Sequence, residues 1–545
     1  MKHLSKNENI FLIFVFFIIF VIGSLIFSDY GISIDEDNSR VNGFVSLKYI
    51  LELFNFDLAS KVENTIKTPD IHSYFEQGNG VVFELPLSLI EILFNLKDTR
   101  EIFLLRHYCT FLIFFFSLIY LFKIINYRHN SFFLGFLGVL FLVLSPRIFS
   151  QSFYNSKDIV FMSLNIITLY YGINYLRKSN FKKGFIFSFF SGLLVGTRLL
   201  GIYLPVLIIC FKFIQILRFS NNRKREILSL FFLIFCTLIF IYLFWPYLWE
   251  DPIKYFLTAF KKLANIPIEI YTLFLGNYIQ VEFVPWFYTI VWILITTPIV
   301  YLIFFLFSLY FNLKRIGSRL IKIDEKKEFN DLWRGENEKV DILIFLNFFI
   351  PIFSTIILHS TLLTGWRHLY FVYPSLILMS IHGITIFKLL LSKTKFKYLI
   401  ILILISLLPT INWMYKNHPH QYVFFNSIYK KNFNKYFVMD YWGLSNYHAL
   451  KIILNKSNKE SVKVGILGNG DLFLAKSFLD ITDRKKIIVD NEDLLNNDFI
   501  IDNYNRWNGI KNPKHFAKIQ KKFKKFYDIK VNNIPINSIY INKIK

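Results

Sequence analysis

The sequence predicts a mostly α fold: a polytopic transmembrane helix bundle of about eleven spans, followed by a small carboxyl-terminal α/β domain on the extracytoplasmic side. Composition is the first reason. Of 545 residues, 54% are hydrophobic and 19% aromatic, and the mean hydropathy is +0.43. Soluble domains carry about 45–50% apolar residues even when glycine is counted. The second reason is that long apolar stretches recur along residues 1–413, and the strongly basic short loops all fall on one side.

The high positive charge does not indicate a nucleic-acid partner. The chain has 62 lysines and arginines against 38 acidic residues, a formal net charge of +24. These cations lie between apolar stretches and in the carboxyl-terminal tail, without the aromatic-interleaved basic domain that binds nucleic acid. The expected environment is therefore a lipid bilayer.

The spans follow from the apolar stretches in order. Lys2 and Lys6 precede the first stretch, which favours a cytoplasmic amino terminus, and no small-residue cleavage site follows it, which favours a retained anchor. The largest cytoplasmic loop is 314–339, and an odd number of crossings puts the carboxyl terminus outside. The predicted spans are 10–27, 108–125, 132–144, 159–176, 184–196, 199–213, 227–244, 286–311, 342–358, 369–391 and 398–413.

Two domains are expected from this division. Residues 1–414 form the membrane domain, with a first external loop at 28–102. Residues 415–545 form the α/β domain, in which 462–467, 486–489 and 499–501 read as strands. The basic stretch 514–525 reads as a solvated helix face.

An acidic triplet, Asp35-Glu36-Asp37, follows the first span directly. Carboxylates close to lipid are poorly solvated, which raises their proton affinity and suits a general base. The alternative is that the triplet only opens a solvated loop. Because adjacent residues of a helix point in different directions, Asp35 and Glu36 are expected to divide their roles, one reaching a site and the other anchoring the loop.

Further charged residues collect at the outer ends of the predicted spans. Such charges are costly unless they pair or serve a site. Acids ringed by cations at one membrane surface suit an anionic, lipid-bound substrate, such as a sugar joined through phosphate to a polyprenyl chain. Asp35 or Glu36 would then be the base, and the cations would hold the phosphate oxygens. The candidate phosphate-binding residues are Arg106, Lys157, Arg198 and Arg367, and the other site candidates are Asp158 and His368.

Most of these candidates also have a plainer interpretation. Arg106 and Lys157 are also explained as side chains that reach toward lipid headgroups. Asp158 is explained equally well as a helix-start residue, favoured by the helix dipole. Arg367 and His368, beside Trp366, would also serve as an interface anchor.

Nothing in the sequence indicates a metal or another cofactor. Cys109, Cys210 and Cys236 all lie inside apolar stretches, without a CxxC spacing. We therefore predict no metal site and no cofactor, and expect a chelator to have little effect on activity.

An ordered set of segments along the chain has a familiar pattern: Asp35-Glu36, 152–158, 196–198, 365–370, 418–426 and 440–443. On these segments the chain resembles the membrane glycosyltransferases of the GT-C superfamily, in the protein O-mannosyltransferase-like group (family 39). The resemblance implies a metal-independent, inverting transfer from a polyprenyl-phosphate sugar, with Asp35 as the base and Glu36 beside it. The extra Asp37 leaves the choice among the three acids open, and the sugar and the acceptor (protein, glycolipid or polysaccharide) stay open too.

Two other classes of function compete with this interpretation. A transporter or flippase of a lipid-linked anion would normally place ionisable groups near the bilayer midplane, whereas here they cluster at one surface. A structural assembly subunit would leave the outer-face charges without a role. The charge distribution favours a glycosyltransferase, placed as a multi-pass protein in the inner (plasma) membrane.

Overall fold

The computed structural model of the chain describes residues 5–55, 57–76, 78–219, 222–264, 269–321, 333–428, 433–468, 470–506, 518–519 and 521–543. The described residues are mostly helical, as predicted. The α-helices are α1 (Lys6–Ile26), α2 (Ile34–Leu53), α3 (Leu58–Thr65), α4 (Glu84–Leu93), α5 (Thr99–His129), α6 (Phe132–Val143), α7 (Pro146–Tyr154), α8 (Asp158–Arg177), α9 (Phe181–Val195), α10 (Tyr203–Phe219), α11 (Arg223–Phe244), α12 (Pro252–Ala264), α13 (Tyr288–Thr296), α14 (Ile299–Ile321), α15 (Gly335–Ile357), α16 (Tyr373–Leu390), α17 (Lys393–Lys416), α18 (Phe433–Tyr436), α19 (Ser445–Lys456), α20 (Leu472–Ser477) and α21 (Ile481–Lys486). Short 3₁₀ helices are Phe27–Asp29, Leu199–Ile202, Pro246–Leu248, Val281–Phe283, Arg367–Val372, Gln421–Val423 and Leu494–Asn496.

The chain is a multi-pass membrane protein. Within the described ranges, nine helices are long and apolar enough to cross a membrane, or ten if the bent pair α6–α7 counts as one span. Each predicted span contains a helix, but α6 has 12 residues and α9 has 15, fewer than the roughly 20 that a 30 Å hydrocarbon core requires. By length and composition, nine or ten of the about eleven predicted spans are therefore supported within the described ranges. Residues 322–332 of the predicted cytoplasmic loop lie outside the described ranges.

The bundle has a central pair and a periphery. In α8 and in the α16 span, 83% of the apolar window is buried, whereas α1 and α17 bury only 11% and 17%. The two exposed helices are therefore the ones that face lipid most fully. Close packing at the centre depends on a small residue, because a Cβ on Gly383 of α16 would lie 2.1 Å from the carbonyl oxygen of Phe304 in α14.

A bend between α6 and α7 brings polar residues to one end of the bundle. The two helices meet at 69°, and Pro146 is the first residue of α7, where its missing N–H is tolerated. All nine residues of α7 are buried. The chain then turns at 155–157 into α8. We call this end, where α1 ends and α8 begins, the site end.

The carboxyl-terminal region contains a five-stranded mixed sheet in the order β4-β3-β5-β7-β6. The first three of these strands in sequence were predicted, and they pair in parallel. The antiparallel hairpin β6–β7 was not predicted. The prediction of a helix face at 514–525 is wrong for 523–525, because these residues begin β6. Residues 514–517 and 520 lie outside the described ranges. A separate hairpin pairs β1 with β2. The strands are β1 (Tyr271–Phe274), β2 (Asn277–Gln280), β3 (Val462–Ile466), β4 (Ile487–Val489), β5 (Phe499–Asp502), β6 (Phe523–Val531) and β7 (Ile534–Asn542).

This region contacts the first loop. His418 Nε2 lies 2.8 Å from Asp29 Oδ2, and His448 Nε2 lies 2.9 Å from the Asp29 carbonyl oxygen. Arg484 donates to Asp98 at 2.7 Å. The carboxyl-terminal region and the first loop therefore share the site end. Which membrane face this end occupies, and the division at residue 415, remain predictions.

Candidate functional site

Asp35 lies in the first turn of α2. The helix begins after Ser33, whose backbone N–H donates to Glu36 Oε1 at 2.7 Å. The Asp35 carboxylate accepts a hydrogen bond from Arg367 Nη1, and the Asp35 side chain stays 26% exposed. A carboxylate that is paired yet open on one side is able to meet a substrate.

Arg367 joins Asp35 to a second acid. Its Nη1 atom lies 3.7 Å from Asp158 Oδ2, and Asp158 Oδ1 in turn lies 2.5 Å from Arg198 Nη2. Asp158 is fixed as the first residue of α8, where its N–H donates to Asn155 Oδ1 at 2.8 Å. Four parts of the chain, far apart in sequence, thus meet in one row of alternating charges: Asp35, Arg367, Asp158 and Arg198.

Lys157 lies beside this row. Its Nζ atom pairs with Glu76 Oε2 at 2.5 Å, and the two side chains are 17% and 12% exposed. Lys157 also contributes to the electrostatic field at Asp35. The cluster as a whole therefore pairs three cations with three carboxylates.

The electrostatics at Asp35 differ from the sequence prediction. Burial alone would raise the pKa of the Asp35 carboxyl, but the charges of Arg367, Lys157 and Arg198 outweigh burial and lower it. Asp35 is therefore ionised at neutral pH. The expectation of a raised proton affinity is wrong for the empty site, because it counted desolvation without the cations that accompany it.

Each of the two guanidinium groups of the row has an N–H group that its ion pairs do not use. Arg198 Nε and Arg367 Nε are buried, and neither has a hydrogen-bond partner among the described residues. Buried N–H groups are nearly always paired in folded proteins. Guanidinium N–H groups are suited to the oxygens of an anion such as phosphate. The Arg367 guanidinium is itself held in place 4.8 Å above the ring of Trp442.

Glu36 points away from the row. Its Oε1 accepts the Ser33 N–H at 2.7 Å, its Oε2 lies 2.8 Å from His107 Nε2, and the residue is 2% exposed. Glu36 thus ties α2 to α5 and fixes the direction in which Asp35 projects. The structure therefore points the two neighbouring acids in different directions, and their division of roles between a site and an anchor stays a prediction.

Arg106 is not brought to the row. It is 1% exposed and pairs with Glu84 at 3.3 Å and with Glu91 at 3.1 Å. Glu91 also accepts from Arg40 Nε at 3.1 Å, and Glu84 accepts the Ser156 hydroxyl at 2.6 Å. This buried network joins α2, α4 and α5 to Ser156, the residue before Lys157. Arg106 therefore holds together the helices next to the row and is not itself part of the row.

His368 lies next to Arg367 in the same 3₁₀ helix, within electrostatic reach of Arg367, Arg198 and Lys157. The structure therefore places His368 beside three of the four predicted phosphate-binding residues.

The sequence analysis did not name several residues that support the row. Gln151 Nε2 donates to the hydroxyls of Tyr370 and Tyr441 at 2.8 and 3.2 Å, and Gln151 Oε1 accepts from Asn155 at 2.7 Å. This network positions the turn before Asp158. Its members lie inside or next to the segments that carry the family resemblance, which was the available signal.

No group of three or more His, Cys, Asp or Glu side chains in the described residues is arranged to hold a metal ion.

Comparison with known proteins gives only distant likenesses. No family model matches the chain, and no curated protein matches it. Among solved structures, the chain is similar to crystal structures of ArnT from Cupriavidus metallidurans, one bound to undecaprenyl phosphate and one in the apo state. Both have a TM-score of 0.43 and 10% identity; the first alignment covers 98% of each chain, and the second covers 96% of this chain and 97% of the other. At this identity and TM-score the likeness carries no argument about activity. Neither structure is of a protein O-mannosyltransferase, and that part of the resemblance stays a prediction.

Proposed function

We propose that the chain is a membrane glycosyltransferase of the GT-C type, which transfers a sugar from a polyprenyl-phosphate donor to an acceptor hydroxyl, with Asp35 as the general base. The observation that carries the proposal is the row Asp35–Arg367–Asp158–Arg198. It sets an ionised, partly open carboxylate beside two guanidinium groups that keep unpartnered buried donors.

The reaction fits the charges of the cluster. The acceptor oxygen attacks the anomeric carbon, the bond from that carbon to the phosphate oxygen breaks, and the electron pair stays on the phosphate. The proton of the acceptor hydroxyl passes to Asp35. The donor is a phosphodiester with one negative charge, and the leaving polyprenyl phosphate is a monoester that gains a second. Arg367, Arg198 and Lys157 stabilise that developing charge.

Arg367 would couple donor binding to base strength. In the empty site its guanidinium neutralises Asp35, which makes Asp35 a weak base. A donor phosphate competes for the same guanidinium. Because burial is the largest influence on the pKa of Asp35 and acts to raise it, weakening the contact with Arg367 raises that pKa and improves the base.

The finer features of the proposal rest on the sequence. The positive-inside tendency favours the extracytoplasmic face of the plasma membrane for the site end, with the amino terminus in the cytoplasm. The family resemblance favours an inverting transfer of a hexosyl or pentosyl group, by an enzyme similar to the mannosyltransferases. The acceptor is a protein, a glycolipid or a polysaccharide.

Incubation of the purified enzyme with a panel of polyprenyl-phosphate sugars tests the proposal. We expect one donor to be converted to free polyprenyl phosphate and a glycosylated product of the corresponding mass, with Asp35→Asn as the inactive control. The competing function is measured in parallel, as movement of the lipid-linked sugar between the leaflets of proteoliposomes. Leaflet exchange without any sugar transfer would identify a flippase and end the glycosyltransferase proposal.

A further inference from the structure

Glu76 is the carboxylate that neutralises Lys157. It lies in the first loop, and its carboxylate meets Lys157 Nζ at 2.5 Å, with 12% of the Glu76 side chain exposed. Lys157 immediately precedes Asp158 and belongs to the proposed phosphate-binding set. Any phosphate that reaches Lys157 must therefore displace Glu76 or bind beside its negative charge.

The loop that carries Glu76 is seated against the site. The Val82 N–H donates to the Gly196 carbonyl at 3.2 Å, two residues before Arg198. A Cβ on Gly80 would lie 1.8 Å from the same carbonyl oxygen, so the backbones touch there. Contact with the turn that leads to Arg198 keeps this part of the loop, and Glu76 with it, next to the row.

The chemistry of the proposed transfer makes such a carboxylate useful. Lys157 and the two arginines attract the donor, but they attract the product more strongly, because a phosphate monoester carries about −1.5 to −2 charges near neutral pH, against one for the diester. A site with cations alone would retain its product. A nearby carboxylate reduces the affinity for both forms and penalises the doubly charged form more.

We propose that Glu76 is a counter-carboxylate that limits how tightly the site holds phosphate, above all the polyprenyl phosphate left after transfer, so that it promotes product release. This inference rests on the proposed function. Glu76 then re-forms its ion pair with Lys157 as the product leaves. It is not a catalytic residue, since it takes no part in bond breaking.

The test uses two probes that do not require the sugar to be known: polyprenyl phosphate, and its methyl phosphodiester, which carries a single negative charge. Their dissociation constants are measured for the wild-type protein and Glu76→Gln in the same nanodiscs. We expect the variant to bind the diester about threefold and the monoester roughly tenfold more tightly, as displacement of a partly buried ion pair allows. At about pH 5, where the monoester loses its second charge, the two gains should converge.

Matched variants separate this effect from a general change in charge. Glu63→Gln removes a carboxylate from an ion pair of the same length, 2.5 Å to Lys48, elsewhere in the first loop, and should change neither constant. Glu76→Asp keeps the charge and should stay near wild type. In a Lys157→Gln background, Glu76→Gln should lose most of its effect.

The outcomes are distinguishable. If wild-type protein binds both probes and Glu76→Gln binds the monoester no more tightly, or less tightly, Glu76 has only a structural role and the inference is wrong, while the proposed function stands. Equal gains for the two probes at neutral pH would also contradict a role in product release. If the wild-type protein binds neither probe, the proposed function fails and the inference fails with it. If Glu76→Gln does not fold, Glu76→Ala replaces it, and the same comparison is made between Glu76→Ala in the wild-type protein and Glu76→Ala in the Lys157→Gln background.

Discussion

Neutralising the acids of the triplet one at a time should give three different phenotypes. Asp35 faces Arg367, Glu36 caps its own helix and contacts His107, and Asp37 is half-buried near Arg40. Asp35→Asn should therefore lose turnover, Glu36→Gln should lose stability, and Asp37→Asn should lose neither. Each substitution keeps the size of the side chain and removes one charge.

The magnitudes follow from these contacts. General-base catalysis contributes about 10²–10⁴ in rate, or roughly 2.7–5.4 kcal/mol of activation free energy, so Asp35→Asn should lower kcat by that factor. Its folding should be little affected, because Arg367 keeps Asp158 at 3.7 Å. Glu36→Gln weakens charged hydrogen bonds in a position that is 2% exposed, which should cost about 1–3 kcal/mol of stability. Burial raises the pKa of Asp37, with Arg40 opposing the effect and Asp471 adding to it, so loss of this charge should have little consequence.

The assay pairs thermal unfolding of each purified variant with the rate of sugar transfer per folded molecule. A wild-type rate for Asp35→Asn would reject Asp35 as the base. If Glu36→Gln instead lost turnover while its melting temperature stayed at the wild-type value, the roles of the two neighbours would be reversed. Asp37→Asn serves as the matched control for removal of one charge from the same helical turn.

Three further substitutions probe the rest of the molecule. Arg367→Gln removes the cation that contributes most to lowering the pKa of Asp35, so the acid limb of the kcat/KM profile should move to higher pH; an unchanged limb would separate Arg367 from the base. Arg198→Lys keeps the charge next to Asp158 but loses the forked donors, and should raise the KM for donor several-fold with little change in kcat, whereas an unchanged KM would remove Arg198 from the phosphate site. Asp341→Asn, in α15 beside the carboxyl-terminal end of α5, removes the carboxylate that pairs with Arg128 and Arg315 at 2.6–3.2 Å. It should cost about 3–5 kcal/mol of stability while turnover of the folded enzyme stays normal.

The membrane part of the fold was predictable because hydrophobicity along the chain reports it directly. Each predicted apolar span contains a helix, and the difference between the about eleven predicted spans and the nine or ten of sufficient length concerns α6 and α9, which are apolar but short. The helix α6 is short because the chain bends into α7, and α9 is short because it ends at the turn before Arg198. Packing determines both features, and hydrophobicity along the chain does not report them. The hairpin β6–β7 was missed because its lysines resemble a solvated helix, although Asn532 and Asn533, both at positive φ, form the type of two-residue turn that joins such strands.

The site was predictable as a location but not as a set of pairs. Charges at span ends indicated that Asp35, Asp158, Arg198 and Arg367 share one end of the bundle, and the structure brings them into one row. The sequence contains no equivalent signal that tells which carboxylate pairs with which cation. In the sequence, Arg106 and Arg198 cannot be distinguished as phosphate-binding candidates. Only the structure shows that two glutamates of α4 pair with Arg106. For the same reason the direction of the Asp35 pKa shift was mispredicted.

In the proposed mechanism, the row of alternating charges serves both the stability of the fold and the timing of catalysis. In low dielectric, an unpaired guanidinium or carboxylate would be costly, so each group of the row neutralises its neighbour. We propose that the same pairing keeps Asp35 a weak base and so prevents activation of water or acceptor before a donor arrives. On this proposal an incoming donor phosphate exchanges with the carboxylates for the guanidinium donors, including the Nε–H groups of Arg198 and Arg367 that have no partner in the described residues. That exchange would free Asp35, and base catalysis would be confined to the donor-bound enzyme.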